Sequence, residues 1–253
     1  MNRKIMDELN RMIKDIPQLL CDTIDLRNAI ELKFGVDISN TIDSDNIHNR
    51  KFVLDGGVWT GSLTDLCHAI DEAVLEKYFG EVWQPETKKY KYSGLGIIDQ
   101  VNALNPEAVL DVGCGYNEFK GKIQNLTGID PFNQKADIMV HTTSYFSETL
   151  YDVVICLGSI NFGSTMKIIK EIQKVVSLTK KGGIIIFRCN PGITHKNKYA
   201  QWIDFFDWDI PFIFNVANAT NCKVIECHTD QSTDKKNELK NGERFYFVLE
   251  KLD

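Results

Sequence analysis

The sequence predicts an α/β protein: a doubly wound, mostly parallel seven-stranded sheet with one antiparallel strand near the C-terminus, preceded by a mainly helical N-terminal region. Three observations predict it. From residue 93 onward, strand-length apolar runs alternate with helical stretches, the rhythm of βαβ units with helices on both faces. The last two runs have no helix between them, so their connection is antiparallel. Residues 1–92 instead mix helical periodicity with irregular polar segments.

In the first region Ile5, Leu9, Met12, Ile13 and Ile16 recur at helical spacing up to Pro17. Leu20 to Phe34 reads as a second helix. Ser39 to Asp55 is polar without clean periodicity, with Val53 and Leu54 in a short strand and Gly56-Gly57 as a turn. Ser62 and Asp65 form a capping-box-like start. Leu63, Leu66, Ile70, Val74, Leu75 and Phe79 then mark an amphipathic helix, and an aromatic-rich segment from Gly80 to Tyr92 closes the region.

In the second region the strands are Ala108 to Val112, Thr127 to Ile129, Ala136 to Val140, Asp152 to Leu157, Gly183 to Cys189, Cys222 to His228 and Arg244 to Glu250. Helices are expected over Glu118 to Asn125, over Met166 to Leu178, and from the Asp209 cap and Pro211 to Thr220.

Composition, 43% hydrophobic and 25% charged, is that of a globular protein able to bury a core. A net charge of −6 argues against a phosphate-binding face for duplex nucleic acid, and Lys88, Lys89 and Lys91 read as a solvated loop. The basic start carries Asp7 and Glu8 and leads into no apolar h-region. No apolar run approaches the roughly 18 residues of a membrane span, so a cytoplasmic protein with no membrane partner is expected. Seven scattered cysteines without a C-x-x-C pair read as reduced thiols. Cys222, Cys227 and His228 lie in an alternating strand pattern without further ligands, so no metal is expected.

The most informative stretch is Val109 to Phe119, V-L-D-V-G-C-G-Y-N-E-F. An apolar strand delivers Asp111, and Gly113 and Gly115 let the backbone approach a ligand at a strand-to-helix turn. The loop resembles the first motif of class I S-adenosylmethionine-dependent methyltransferases, which favours an acid followed by alternating glycines. It departs at the last expected glycine, where Asn117 stands; asparagine tolerates positive φ, so the loop shape can survive. A dinucleotide site of G-x-G-x-x-G type would instead need glycine where Glu118 stands, and that charge would face two phosphates. At the next strand end, Gly128-Ile129-Asp130-Pro131 places an acid 19 residues after Asp111, suited to accept hydrogen bonds from ribose hydroxyls. On that reading Asp130→Ala weakens cofactor binding while folding is largely kept.

The resemblance covers residues 95–252. It implies S-adenosyl-L-methionine as cofactor, with Asp111, Gly113, Cys114, Gly115 and Asn117 around the methionine moiety and Asp130 and Pro131 at the ribose. It further implies that His141 to Ser144, Thr143 among them, borders adenine, and that Leu157, Gly158 and Ser159 pass near the methyl group. Residues 93–253 are then the cofactor-binding domain and 1–92 a cap or substrate-recognition region. Methyl transfer needs alignment more than a universal catalytic residue; Asn190, in Arg188-Cys189-Asn190-Pro191-Gly192, and His195 are the catalytic candidates. Trp202, Phe205, Phe206 and Trp208 read as core packing, with a lid as the other use. Arg188 to Gly192 with Asp204 to Trp208 resembles methyltransferase-like proteins of tailed phages, for which the compartment is the host cytoplasm. The expected activity is methyl transfer to an unidentified acceptor: small molecule, nucleic acid, protein or glycan. Alternatives are a non-catalytic S-adenosylmethionine- or nucleotide-binding module and an NAD-dependent oxidoreductase or epimerase.

Overall fold

A computed structural model describes residues 1–15, 23–38, 54–55, 58–59, 63–85, 94–192, 198–230 and 244–253. The chain forms two compact units. One comprises Met1–Trp83 with Thr194–Asp204, and the other Gln84–Ile193 with Phe205–Asp253.

In the first unit, α1 (Arg3–Asp15) and α3 (Leu63–Glu76) pack together, burying Ile5 and Leu9 of α1 and Leu66, Ile70 and Val74 of α3. The Asn2 side chain accepts from Ile5 N at 3.3 Å, capping α1, and donates to Asp71 and to Trp202 O at 2.7 Å each. α2 (Thr23–Phe34) ends at Gly35, whose φ of 74° suits the left-handed C-terminal position. A two-stranded ladder pairs β1 (Leu54–Asp55) with β2 (Val58–Trp59), whereas the Gly56-Gly57 turn lies outside the described residues. The expected single helix to Phe79 changes after Glu76 into a π-helical turn, Lys77–Val82, closed by Trp83 N donating to Tyr78 O at 2.7 Å. Trp202 packs edge-on to Phe34 at 4.8 Å.

The second unit is the sheet. Its strands are β3 (Val109–Val112), β4 (Leu126–Asp130), β5 (Ile138–Met139), β6 (Tyr151–Leu157), β7 (Thr179–Cys189), β8 (Cys222–Asp230) and β9 (Arg244–Lys251), in spatial order β5-β4-β3-β6-β7-β9-β8. All neighbours are parallel except β9, which runs antiparallel to both β7 and β8. The expected fold class is therefore the observed one.

One face is covered by α5 (Thr165–Leu178) and α6 (Ile210–Ala219), with Ile168, Ile172, Ile213 and Val216 against Leu110, Val154, Ile185 and Phe247. Asp209 caps α6 as expected, accepting from Phe212 N at 2.7 Å. Trp208 belongs to this core: it is 1% exposed and donates through Nε1 to Ile160 O. Ile97 and Val101, from a 3-10 turn (Gly94–Ile97) and the short α4 (Ile98–Ala103), cover the other face.

No regular helix forms over Glu118 to Asn125, which corrects the sequence expectation. Phe119 and Ile123 are buried at the helical i, i+4 spacing, and Ile123 N donates to Phe119 O, but positive φ at Asn117, Gly121 and Asn125 breaks the chain into successive turns. Among the described residues no helix is long and apolar enough to cross a membrane.

Candidate functional site

Strand register decides which side chains can meet. Asp111 pairs with Gly128 on β4 and Ile155 on β6, and Ile155 pairs with Ile186 on β7. Because alternate residues share a face, Asp111, Asp130, Leu157 and Arg188 all project to the side opposite α5 and α6, near the carboxyl ends of their strands. In open α/β sheets that end is where ligands bind.

Asp111 is 3% exposed, and its Oδ2 is buried without a hydrogen-bond partner. Burial pushes its carboxyl up to about 7, and the neighbouring Asp130 adds to the rise. After Val112 the chain folds over the end of β4: Gly113 N and Cys114 N both donate to Ile129 O, at 2.8 and 3.0 Å. Gly113 (φ 67°), Gly115 (φ 52°) and Asn117 (φ 55°) are all left-handed, so asparagine does hold the position where the motif would have glycine. A side chain on Gly113 would start 2.3 Å from Ser159 Cβ, so the turn after β3 and the loop after β6 are in direct contact there. Ser159 Oγ is buried without a partner as well. Burial raises the Cys114 thiol above its ordinary range, with Asp111 adding to the effect.

Asp130 ties the turn together. Its Oδ2 accepts from Gly115 N at 2.9 Å, and its Oδ1 accepts from Phe132 N and Asn133 N at 2.8 and 2.9 Å. Asn117 Nδ2 donates to Lys135 O. Pro131 is half-buried in the same turn. Thr143 is exposed in a 3-10 turn, Thr142–Ser144, whose connection to this turn runs through the His141 ring, edge-on to Phe132 at 5.6 Å.

Beyond β6, Gly158 has φ 90° and its N donates to Arg188 O at 2.9 Å. Asn161 joins two loops: its Nδ2 donates to Gly158 O, and its Oδ1 accepts from Asn190 N, both at 2.9 Å. Asn190 is 3% exposed, and the adjacent Pro191 bridges to Asp207. His195, Lys88, Lys89 and Lys91 lie outside the described residues.

The structure thus brings Asp111, Gly113, Cys114, Gly115, Asn117 and Asp130 into one bonded turn, with Leu157, Gly158 and Ser159 beside it. Sequence reasoning did not single out Asn161, whose bond to Asn190 N crosses to the loop after β7, nor the approach of Arg188 Nε to Asp230 Oδ2 at 3.8 Å. Tyr116 and Lys120 stand at the Tyr-x-x-x-Lys spacing of some nicotinamide enzymes. Here they sit in a turn with separate partners: Gln84 on the tyrosine hydroxyl, Asp137 and Leu126 O on the lysine. Among the described residues no group of three or more candidate metal ligands is present.

No protein-family model matches the sequence, and no curated protein matches it. Solved structures do match. One is the 1,6-didemethyltoxoflavin N1-methyltransferase of Burkholderia thailandensis, solved with that substrate and S-adenosylhomocysteine, at 12% identity and TM-score 0.56 over 76% of this chain and 92% of that one. Another is the magnesium protoporphyrin IX methyltransferase of Synechocystis, solved with S-adenosylhomocysteine, at 13% identity and TM-score 0.52 over 72% and 99%. The chain has the Rossmann-like methyltransferase fold.

Proposed function

We propose that the chain is an S-adenosylmethionine-dependent methyltransferase. The observation that carries this is the buried Asp111 carboxyl, with one unpartnered oxygen, beside a turn held in left-handed conformation at Gly113, Gly115 and Asn117.

A buried carboxyl without a partner is costly unless a cation or donor completes it. The ammonium of the methionine moiety is such a group, and the unpartnered Ser159 hydroxyl lies close by. Asp130 spends three acceptor positions on backbone N–H groups, leaving Oδ2 capacity for a ribose hydroxyl. A dinucleotide fits less well, since no helix N-terminus follows the turn to receive a pyrophosphate.

The sulfonium would supply an activated methyl carbon. The acceptor's lone pair forms the new bond while the carbon–sulfur bond breaks, its electrons staying on sulfur. Any proton on the acceptor atom leaves to a base or to water. Leu157, Gly158 and Ser159 would line that path, and Asn161 would fix the distance between the two acceptor loops. Asn190 can orient an acceptor but cannot take a proton; His195 remains the candidate base.

Residues 1–92 would serve as cap or recognition region. The first unit also takes in Thr194–Asp204, which follows β7 in the sequence. A cytoplasmic setting agrees with thiols that are all free among the described residues. The tailed-phage resemblance rests on the two strings named above and has no counterpart in the structures compared.

Thermal-shift measurements with S-adenosylmethionine, S-adenosylhomocysteine and NAD test the reading. The two adenosyl compounds should stabilise the chain and NAD should not. Labelled-methyl transfer then separates an enzyme from a binding module.

A further inference from the structure

Helix α6 departs from the pattern of a helix lying on a sheet. Its inward positions Ile213, Val216 and Ala217 are buried, but its outward stripe carries no charge. Ile210 and Phe214 stand four residues apart on that stripe, each 51% exposed, and Asn218 follows at the same spacing. The neighbouring α5 shows the ordinary arrangement, exposing Lys170 and Gln173. The edge strand β8, against which α6 packs, adds a third apolar side chain. A bulge between Val224 and Glu226 leaves Ile225 out of the β9 ladder and 47% exposed. Single exposed apolar residues are ordinary on a protein surface, whereas a cluster on adjacent elements marks an interface.

We propose that this face joins two copies of the chain about a two-fold axis, with α6 antiparallel to α6 of the second copy and Phe214 at the axis. Charge argues for a second copy as the occupant. Each chain has a net charge of −6, so two copies repel except where they meet without charge, and α6 is such a place. The ends of the helix are complementary: exposed Asp209 precedes its first turn, and exposed Lys223 follows its last. A two-fold axis through the helix centre sets each Asp209 near Lys223 of the second copy and opposes the two helix dipoles. Phe214 lies midway along α6, so the same axis brings the two phenyl rings together. The bulge at Ile225 breaks the edge of β8, so side chains make the contact instead of a continued sheet. One helix from each copy is a small interface, which implies a reversible dimer. None of the residues assigned to the cofactor turn takes part.

Sedimentation velocity of the full chain between about 1 and 200 μM tests the proposal. A species of twice the monomer mass should accumulate as concentration rises. Phe214→Glu sets two carboxylates at the axis and should weaken association at least tenfold, while the melting temperature of the dilute chain stays within a few degrees of wild type. Lys223→Glu, on β8, should weaken association severalfold by facing Asp209 with a like charge. Should Phe214→Glu fail to fold, Phe214→Ala only truncates the ring and should also weaken association severalfold. A chain that stays monomeric at the highest concentration overturns the proposal. So does a folded Phe214 variant that associates as tightly as wild type, since the contact would then lie on another face.

Discussion

Replacing Asp130 with alanine removes the acceptor from three backbone donors at once: Gly115 N, Phe132 N and Asn133 N. Each bond to a charged acceptor is worth about 1.5–3 kcal/mol, so simple addition gives about 4.5–9 kcal/mol. The three share one carboxylate and are not additive, and Gly115 and Phe132 are half-buried, so water can recover part of the loss. A net loss of about 3–5 kcal/mol of stability is expected, a large share of the roughly 5–15 kcal/mol that holds a domain folded. Reading Asp130 from sequence as a ribose ligand alone suggests that folding is largely kept on its loss; the structure adds a stability cost, because the carboxylate also closes the turn. Asp130→Asn retains one acceptor oxygen and should lose about half as much. Urea unfolding followed by circular dichroism measures both variants. In folded Asp130→Ala, S-adenosylhomocysteine affinity should fall further, by about 1–3 kcal/mol. A stability loss below about 1 kcal/mol would refute the reasoning.

Four further predictions follow from the same geometry. The folded chain holds Asp111 protonated up to about pH 7, against 3.8 ordinarily, so it binds the extra proton between those values. Stability of the ligand-free chain should therefore fall as pH rises from about 4 to 7 and then level off, whereas Asp111→Asn should remove that slope in pH-dependent melting. Gly113→Ala should lose cofactor binding, since its Cβ would meet Ser159 Cβ at 2.3 Å, and Ser159→Gly should restore part of it in a thermal-shift assay. Asn117→Gly should keep the melting temperature within a few degrees, while Asn117→Val, forced to φ 55°, should lose about 1–2 kcal/mol or more in urea unfolding. Asp209→Ala removes the α6 cap and should lose about 1 kcal/mol by the same method, with no change in cofactor affinity.

Much of the fold was legible because short continuous apolar runs mark strands buried on both faces. Val109–Val112, Tyr151–Leu157 and Arg244–Lys251 lie within a residue or two of the expected strands. The turn over residues 118–125 was not legible, since Phe119 and Ile123 show helical spacing while backbone signs at Gly121 and Asn125 break the helix. In the site, local pattern identified Asp111, the two glycines and Asp130. The triple acceptor role of Asp130 depends on backbone N–H directions that no spacing encodes. The same holds for Arg188 and Asp230, which are 42 residues apart and approach to 3.8 Å across the intervening β9. The aromatic string also divided: Trp208 entered the sheet core, while Trp202 joined Phe34 in the first unit.

Calorimetric titration of S-adenosylhomocysteine into the full chain near pH 6, repeated in two buffers of different ionisation heat, tests the central claim most directly. Saturable one-to-one binding, with close to one proton released as Asp111 ionises against the ligand's ammonium, is the expected result. No binding, or binding with no proton exchanged, would contradict it.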